Sequence, residues 1–458
     1  MQKILLVAGF QLLTAALGDA ADWKIGVSKV NINPTEPIWL AGYGNRDRPS
    51  EGVIQDIWVK AAAFQDATGA ISVITTADLV GLDTETVEIV SRRVKERHGI
   101  PRERLVFNYS HNHSCPVTNG VLPLYYPIND QQRAVIDRYS RRLHDQYVEV
   151  IGKAIENLAP STLEFEQGLA GIAVNRRRAR PGGRKLPGPV DHDVPVMVAR
   201  DEARKPRAIL FGYSCHTTAL SGYQINGDYA GYAQAELEKA FPGSVALFVM
   251  GCGGDANPLP RIMQVTTPEA VELASMYGKI LAAAVKIVIG APMKPIRGPL
   301  KTTYGIATVP FQKAPTKAEL LERQKTLNGS QRRFNDYLLS VLEKEGKLRD
   351  SYPYPVHAWM FGTDLTFVGL TGENVVDYCL RFKKEYGNDN TWVAGYNNEL
   401  LSYIPSLRVL KEGGYEGTEG IYEYGLPAPY GYAIEEVIAQ KVEELVREAR
   451  EQVSAGKP

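Results

Sequence analysis

The sequence predicts an α/β fold: a layered, mixed β-sheet flanked by helices. Three observations carry that prediction. Apolar runs of strand length alternate with segments of helical periodicity through the first half of the chain. The alternation weakens later, so a purely parallel sheet does not follow. Several of the apolar runs end in a polar or glycine-rich segment, and in open α/β sheets ligands bind beyond the carboxyl ends of strands.

The elements follow in order. Residues 61–64 and 71–76 are expected as strands around a turn at 66–69. Residues 85–98 have helical periodicity and stop near Gly99 and Pro101. Residues 105–109 form an apolar strand that runs into Ser110, His111, Asn112 and His113. A long amphipathic helix spans 131–157. Residues 176–189, rich in Arg, Gly and Pro, read as an irregular surface loop or lid. A strand at 208–214 ends at Cys215 and His216. A helix at 230–240 precedes a strand at 245–249, which leads into Gly251, Cys252, Gly253 and Gly254. Residues 316–348 are helical with a break at Asn328 and Gly329. A strand at 365–370 ends in Thr371, Gly372 and Glu373, and a terminal helix covers 435–451. No repeat, low-complexity block or interdomain linker interrupts residues 21–458, which are expected to form one domain.

Residues 1–20 stand apart. Lys3 precedes a mostly apolar stretch at 4–17, too short to span a bilayer comfortably, and Gly18 and Ala20 suit cleavage after Ala20. This reads as an export signal and implies a secreted or periplasmic protein. No later stretch is apolar enough to be an integral membrane segment. Lys plus Arg and Asp plus Glu number 52 each among 458 residues, so no basic excess points to nucleic acid. The four cysteines, Cys115, Cys215, Cys252 and Cys379, lack CxxC spacing and read as small buried residues rather than a zinc knuckle.

Chemistry concentrates at the strand ends. His111 and His113 are spaced i, i+2, which places both on one face if the segment is extended. Neutral imidazole is a common zinc ligand, and catalytic zinc keeps a position open for water. If the strand ends meet, His216, Glu373 and Asp78 join the pair. Asp78 reads either as a partner orienting a ligand imidazole or as a helix cap. The turn 251–254 suits close backbone approach and offers N–H groups to an oxyanion. It is neither a Walker A loop nor a GxSxG elbow. His192, between Asp191 and Asp193, is either a ligand or a loop residue balanced by two carboxylates. His98, His144 and His357 have no supporting context.

Ser-His-Asn-His-Ser-Cys-Pro at 110–116, Cys-His-Thr-Thr at 215–218, Gly-Cys-Gly-Gly-Asp-Ala-Asn-Pro at 251–258 and Thr-Gly-Glu at 371–373 occur in this order. With Ala41-Gly42-Tyr43 and Val174-Asn175-Arg176, the set resembles the catalytic domain of the neutral/alkaline non-lysosomal ceramidase family. The resemblance implies one zinc ion per chain, held by His111, His216, Glu373 and Tyr403, with Tyr396 close to the last in sequence. It implies His113 as the acid acting on the tetrahedral intermediate, Tyr415 beside the substrate carbonyl and Arg176 as a substrate contact. The expected reaction is hydrolysis of an N-acyl amide of a small molecule or lipid. Three departures are visible: Thr371 stands where the family has proline, Asn257 stands where it has a serine, and no C-terminal β-sandwich domain is expected. The last two favour, as a second reading, a zinc esterase, lactonase or deacetylase acting on a polar substrate. A metal-containing binding protein without turnover is the reading from another class.

Overall fold

The computed structural model describes residues 23–177, 188–260 and 267–455. The expected export signal and most of the expected lid lie outside them. The main sheet runs Leu300–Pro310, Ser351–Phe361, Leu365–Thr371, Thr391–Asn397, Leu105–Tyr109, Ile71–Ala77, Trp58–Gln65, Trp23–Asn31, Ala159–Leu169, Asp193–Arg200, Pro206–Tyr213, Val245–Met250. Three neighbouring pairs are parallel and the others antiparallel, which is the mixed sheet the sequence predicts.

Helices cover this sheet, and both of its faces are buried. In Trp58–Gln65, Val59, Ala61 and Ala63 pack in one apolar cluster with the helices, while Ala62 and Phe64 pack in another. The second cluster joins Trp23, Ile74 and Val106 to Leu210, Leu247 and Trp392, so strands from distant parts of the sheet face each other across it. A strand buried on both faces reads as a continuous apolar run, as 61–64 does. The sheet folds back until its last strand meets its middle. Asn108 Oδ1 accepts from the Met250 backbone N–H at 2.8 Å, and Asn108 Nδ2 donates to the Met250 carbonyl at 3.4 Å. This closure brings the ends of Leu105–Tyr109, Pro206–Tyr213 and Val245–Met250 to one place.

The helices begin where local chemistry dictates. Asp83 caps Thr84–His98 by accepting from the Thr86 N–H at 3.0 Å, and Gly99 ends it at φ 69. Asn129 and Gln132 form a reciprocal capping box at the start of Asp130–Glu156. The predicted break near Asn328 separates Lys317–Gln324 from Gly329–Glu345. The sequence reading leaves unassigned, among others, the strands Trp23–Asn31, Ala159–Leu169, Asp193–Arg200, Leu300–Pro310, Ser351–Phe361 and Thr391–Asn397 and the helices Pro268–Ile289 and Val376–Tyr386. Among the described residues, no helix is long and apolar enough to cross a membrane. The four cysteines are free and buried, as expected.

Candidate metal centre

His111 leaves the strand Leu105–Tyr109 by turning, not by continuing it. Its φ is 56, and the backbone from Ser110 to His113 is irregular. The strand-alternation reason for pairing His111 with His113 is therefore wrong, although the pair does form: their Nε2 atoms lie 3.0 Å apart. His216 follows the strand Pro206–Tyr213, and Glu373 follows Leu365–Thr371. Gly372, at φ 76, makes the turn that returns Glu373 into the molecule.

Glu373 Oε2 lies 3.1 Å from His111 Nε2 and 3.2 Å from His216 Nε2. Both rings are fixed from behind. His111 Nδ1 donates to the Val80 carbonyl at 2.8 Å and His216 Nδ1 donates to the Gly253 carbonyl at 2.7 Å. With Nδ1 bonded to a carbonyl, each ring turns its Nε2 toward the carboxylate, and in a neutral imidazole so oriented Nε2 is the lone pair. Burial, then Arg176, pushes His216 down to about 4, so it is neutral at pH 7. Burial, then His111 and His216, holds His113 well below its ordinary value. Burial alone would raise Glu373, but His111 and His216 hold its carboxyl well below the usual carboxylate range. Two backbone-oriented imidazole Nε2 atoms and a carboxylate oxygen thus converge on one point. That is the electrostatics of a cation site, and nitrogen and oxygen ligands of this type suit zinc. One ring nitrogen from each of His111, His113 and His216 lies within 4.8 Å of the other two.

Tyrosines enclose the carboxylate. Tyr396 donates to Glu373 Oε2 at 3.4 Å, and the Tyr424 hydroxyl donates to Glu373 Oε1. Tyr403 stacks parallel to His216, with ring centroids 6.3 Å apart. Arg176 lies over the Tyr403 ring at 5.2 Å, approaches His216 Nε2 at 3.5 Å and pairs with Glu416 at 2.6 Å. Its Nη2 has no partner among the described residues. Tyr415 packs on Tyr403 at 5.1 Å and donates to Glu423 Oε2 at 2.8 Å. All seven sequence-predicted residues therefore meet at one site. Tyr424, Glu416 and Glu423 were not legible as site residues: Glu416 lies on the single π turn Tyr415–Glu419, and Glu423 and Tyr424 on the 3-10 turn Gly420–Tyr424, elements too short to show a periodicity.

Several expectations fail here. Asp78 orients no imidazole and caps no helix; it accepts from the Trp58 N–H and from Gln234 Nε2, each at 2.9 Å. Backbone carbonyls do the orienting instead. The N–H groups of Gly251, Gly253 and Gly254 already bond to the carbonyls of Tyr213, Gly251 and Asn374, so they are not waiting for an oxyanion. The glycines serve close approach: a Cβ on Gly254 would lie 2.5 Å from the Glu373 carbonyl. Asp191 and Asp193 do not balance His192; they grip Lys383 Nζ at 2.8 Å, while His192 Nε2 meets the Ala173 carbonyl at 2.9 Å. Asn257 Oδ1 accepts from Thr218 Oγ1 at 3.5 Å, near the Cys-His-Thr-Thr segment.

The family profile described as neutral/alkaline non-lysosomal ceramidase, N-terminal, matches residues 23–259. No curated protein matches the sequence. The fold is similar to the crystal structure of neutral ceramidase from Pseudomonas aeruginosa, with a TM-score of 0.74 at 17% identity, covering 95% of this chain and 75% of that one. It is also similar to a ceramidase complexed with C2, with a TM-score of 0.71 at 16% identity, covering 94% and 76% of the two chains. The ordered motifs, their convergence at Glu373 and the profile match over more than half the chain lead to one conclusion: this chain belongs to the neutral/alkaline non-lysosomal ceramidase family.

Proposed function

We propose that the protein is a secreted or periplasmic zinc-dependent hydrolase that cleaves an N-acyl amide into a carboxylate and a free amine. The observation that carries this reading is the convergence of two backbone-oriented imidazole Nε2 atoms on the Glu373 carboxylate. His111, His216, Glu373 and Tyr403 would hold one zinc ion. When bound, zinc supplies a Lewis acid that brings the pKa of water to ~7.

The chain's own groups do the remaining work. The Val80 and Gly253 carbonyls fix the tautomer and aim of the two ligand rings. His113 Nε2 sits 3.0 Å from His111 Nε2, placed to take a proton from the attacking water and hand it to the departing nitrogen, since burial keeps the resting ring well below its ordinary value. The orphan Nη2 of Arg176 is a donor for the acyl oxygen as it gains charge, and Tyr415 would join it by turning its hydroxyl away from Glu423. Glu416 holds Arg176 in place from behind.

Two measurements test this. The purified protein should contain close to one zinc per chain, and His216→Ala should lose it; full occupancy in that variant removes the ligand assignment. A panel of N-acyl amides and matched esters, with and without chelator, should show chelator-sensitive amide turnover. Cleavage of esters alone would favour the esterase or lactonase reading, and no turnover would favour the binding protein. Export with removal of residues 1–20 belongs to the same proposal. N-terminal sequencing of the exported protein should begin at Ala21, and a mature protein beginning at Met1 would contradict it.

A further inference from the structure

A cavity of about 530 Å³ opens beside His113, lined by Tyr43, Asn45, Arg46, Tyr125, Ser221, Tyr223 and Glu423 together with Gly44 and Ser330. Its volume falls in the ~300–1,000 Å³ range of small-molecule sites. Two contacts tie it to the candidate metal centre. The Tyr43 ring stands edge-on to the His113 imidazole at 4.8 Å, and Glu423 accepts the Tyr415 hydroxyl. The cavity therefore lies on the side where a leaving amine would meet its proton donor.

The lining contains no Leu, Ile, Val, Met or Phe. A long alkyl chain placed there would strip water from amide, hydroxyl, guanidinium and carboxylate groups and return no hydrogen bonds. Tyrosine rings offer flat apolar faces, and Asn45, Ser221, Ser330 and Glu423 offer donors and acceptors around them. The frame is rigid on one side: the Arg46 guanidinium is buried, bonds the Ala41 carbonyl and donates to the Gly222 carbonyl at 2.9 Å. Ser221 Oγ and Arg46 Nε have no partner among the described residues.

We propose that this cavity receives the amine half of the substrate, and that this half is a compact polyhydroxylated group, sugar-like in its alternation of hydroxyls and C–H faces, rather than a long alkyl chain. The proposal rests on the amide-hydrolase reading above and specifies its substrate class.

The test holds the acyl group constant and varies the amine. Zinc-loaded full-length protein is assayed on N-butyryl hexosamine, N-butyryl cyclohexylamine and N-butyryl hexadecylamine, the last in mixed micelles. The hexosamine amide should be preferred in kcat/KM by ~10²-fold or more, as expected where a site is built to bond hydroxyls. Asn45→Leu, at an exposed position, and Ser221→Ala should each reduce that preference ~10-fold, mainly through KM. Free hexosamine should inhibit competitively, and hexadecylamine should not. Equal or greater turnover of the hexadecylamine amide, or a preference that neither variant changes, overturns the proposal and leaves the amide-hydrolase reading standing. Failure to cleave any of the three amides removes the parent reading, and this one with it.

Discussion

His113 is the residue on which chemistry and metal binding separate. His111 and His216 have their Nδ1 atoms bonded to backbone carbonyls, whereas His113 Nδ1 has no partner among the described residues. A ligand ring is usually oriented by a bond to its second nitrogen. His113 lacks one and is held instead by packing: the Tyr43 ring on one side and Gly42, at φ 92, where a Cβ would lie 2.3 Å from the His113 Cγ. That difference favours a role as acid over a role as ligand. His113→Ala should keep its zinc and lose ~10²–10⁴-fold in kcat, with a smaller change in KM. An activated ester, whose leaving group needs no proton, should be cleaved with little loss. Release of zinc by the variant, read by metal analysis, would make His113 a ligand and displace Tyr403 from that role.

Among the elements, the segment after the strand Thr391–Asn397 carries a titration away from the metal centre. Glu399 is buried beside Tyr352, whose hydroxyl donates to Oε1 at 3.5 Å. Burial pushes its carboxyl up to about 7, against an ordinary value of 4.5, with Arg102 opposing. The folded chain therefore keeps a proton that the unfolded chain releases, and stability falls as pH rises from about 4.5 to about 7. At ~1.4 kcal/mol per unit the loss over that window is on the order of 3 kcal/mol. Glu399→Gln should flatten this part of the curve, measured as urea midpoints at pH 5 and pH 8 in wild type and variant. Parallel curves would show that Glu399 ionises normally in the folded protein. Glu423 is also raised by burial to about 7, so the wild-type slope contains more than one group, and only the difference between the two proteins reports on Glu399.

At the scale of the molecule, the candidate metal ligands come from four segments far apart in sequence, and the closed sheet is what gathers them. A cation at Glu373 would tie Leu105–Tyr109, Pro206–Tyr213, Leu365–Thr371 and Tyr403–Ile404 together through their ends. Anything that binds the folded state alone stabilises it by mass action, ~4 kcal/mol at a thousandfold excess over Kd. Chelation at neutral pH should therefore lower Tm, and added zinc should restore it. An unchanged Tm on verified metal removal would mean that the site is preformed without contributing to stability.

The sequence by itself determined the elements whose signals are local. Periodicity located Thr84–His98 and Asp130–Glu156, apolar runs located Leu105–Tyr109 and Val245–Met250, and the ordered motifs identified the residues that meet at Glu373. Tertiary structure alone decided how they meet. The return of Val245–Met250 onto Asn108 is a long-range pairing with no local signature. His111 takes a left-handed backbone that the i, i+2 spacing does not reveal, and the glycine turn spends its N–H groups on the fold while lending a carbonyl to His216. Asp78 lies at a strand end like the site residues, but its carboxylate faces Trp58 and Gln234 rather than an imidazole. Local propensity depends on neighbours in sequence and can be read from them, whereas the direction of a side chain at the end of a strand depends on which distant backbone groups are left to bond it.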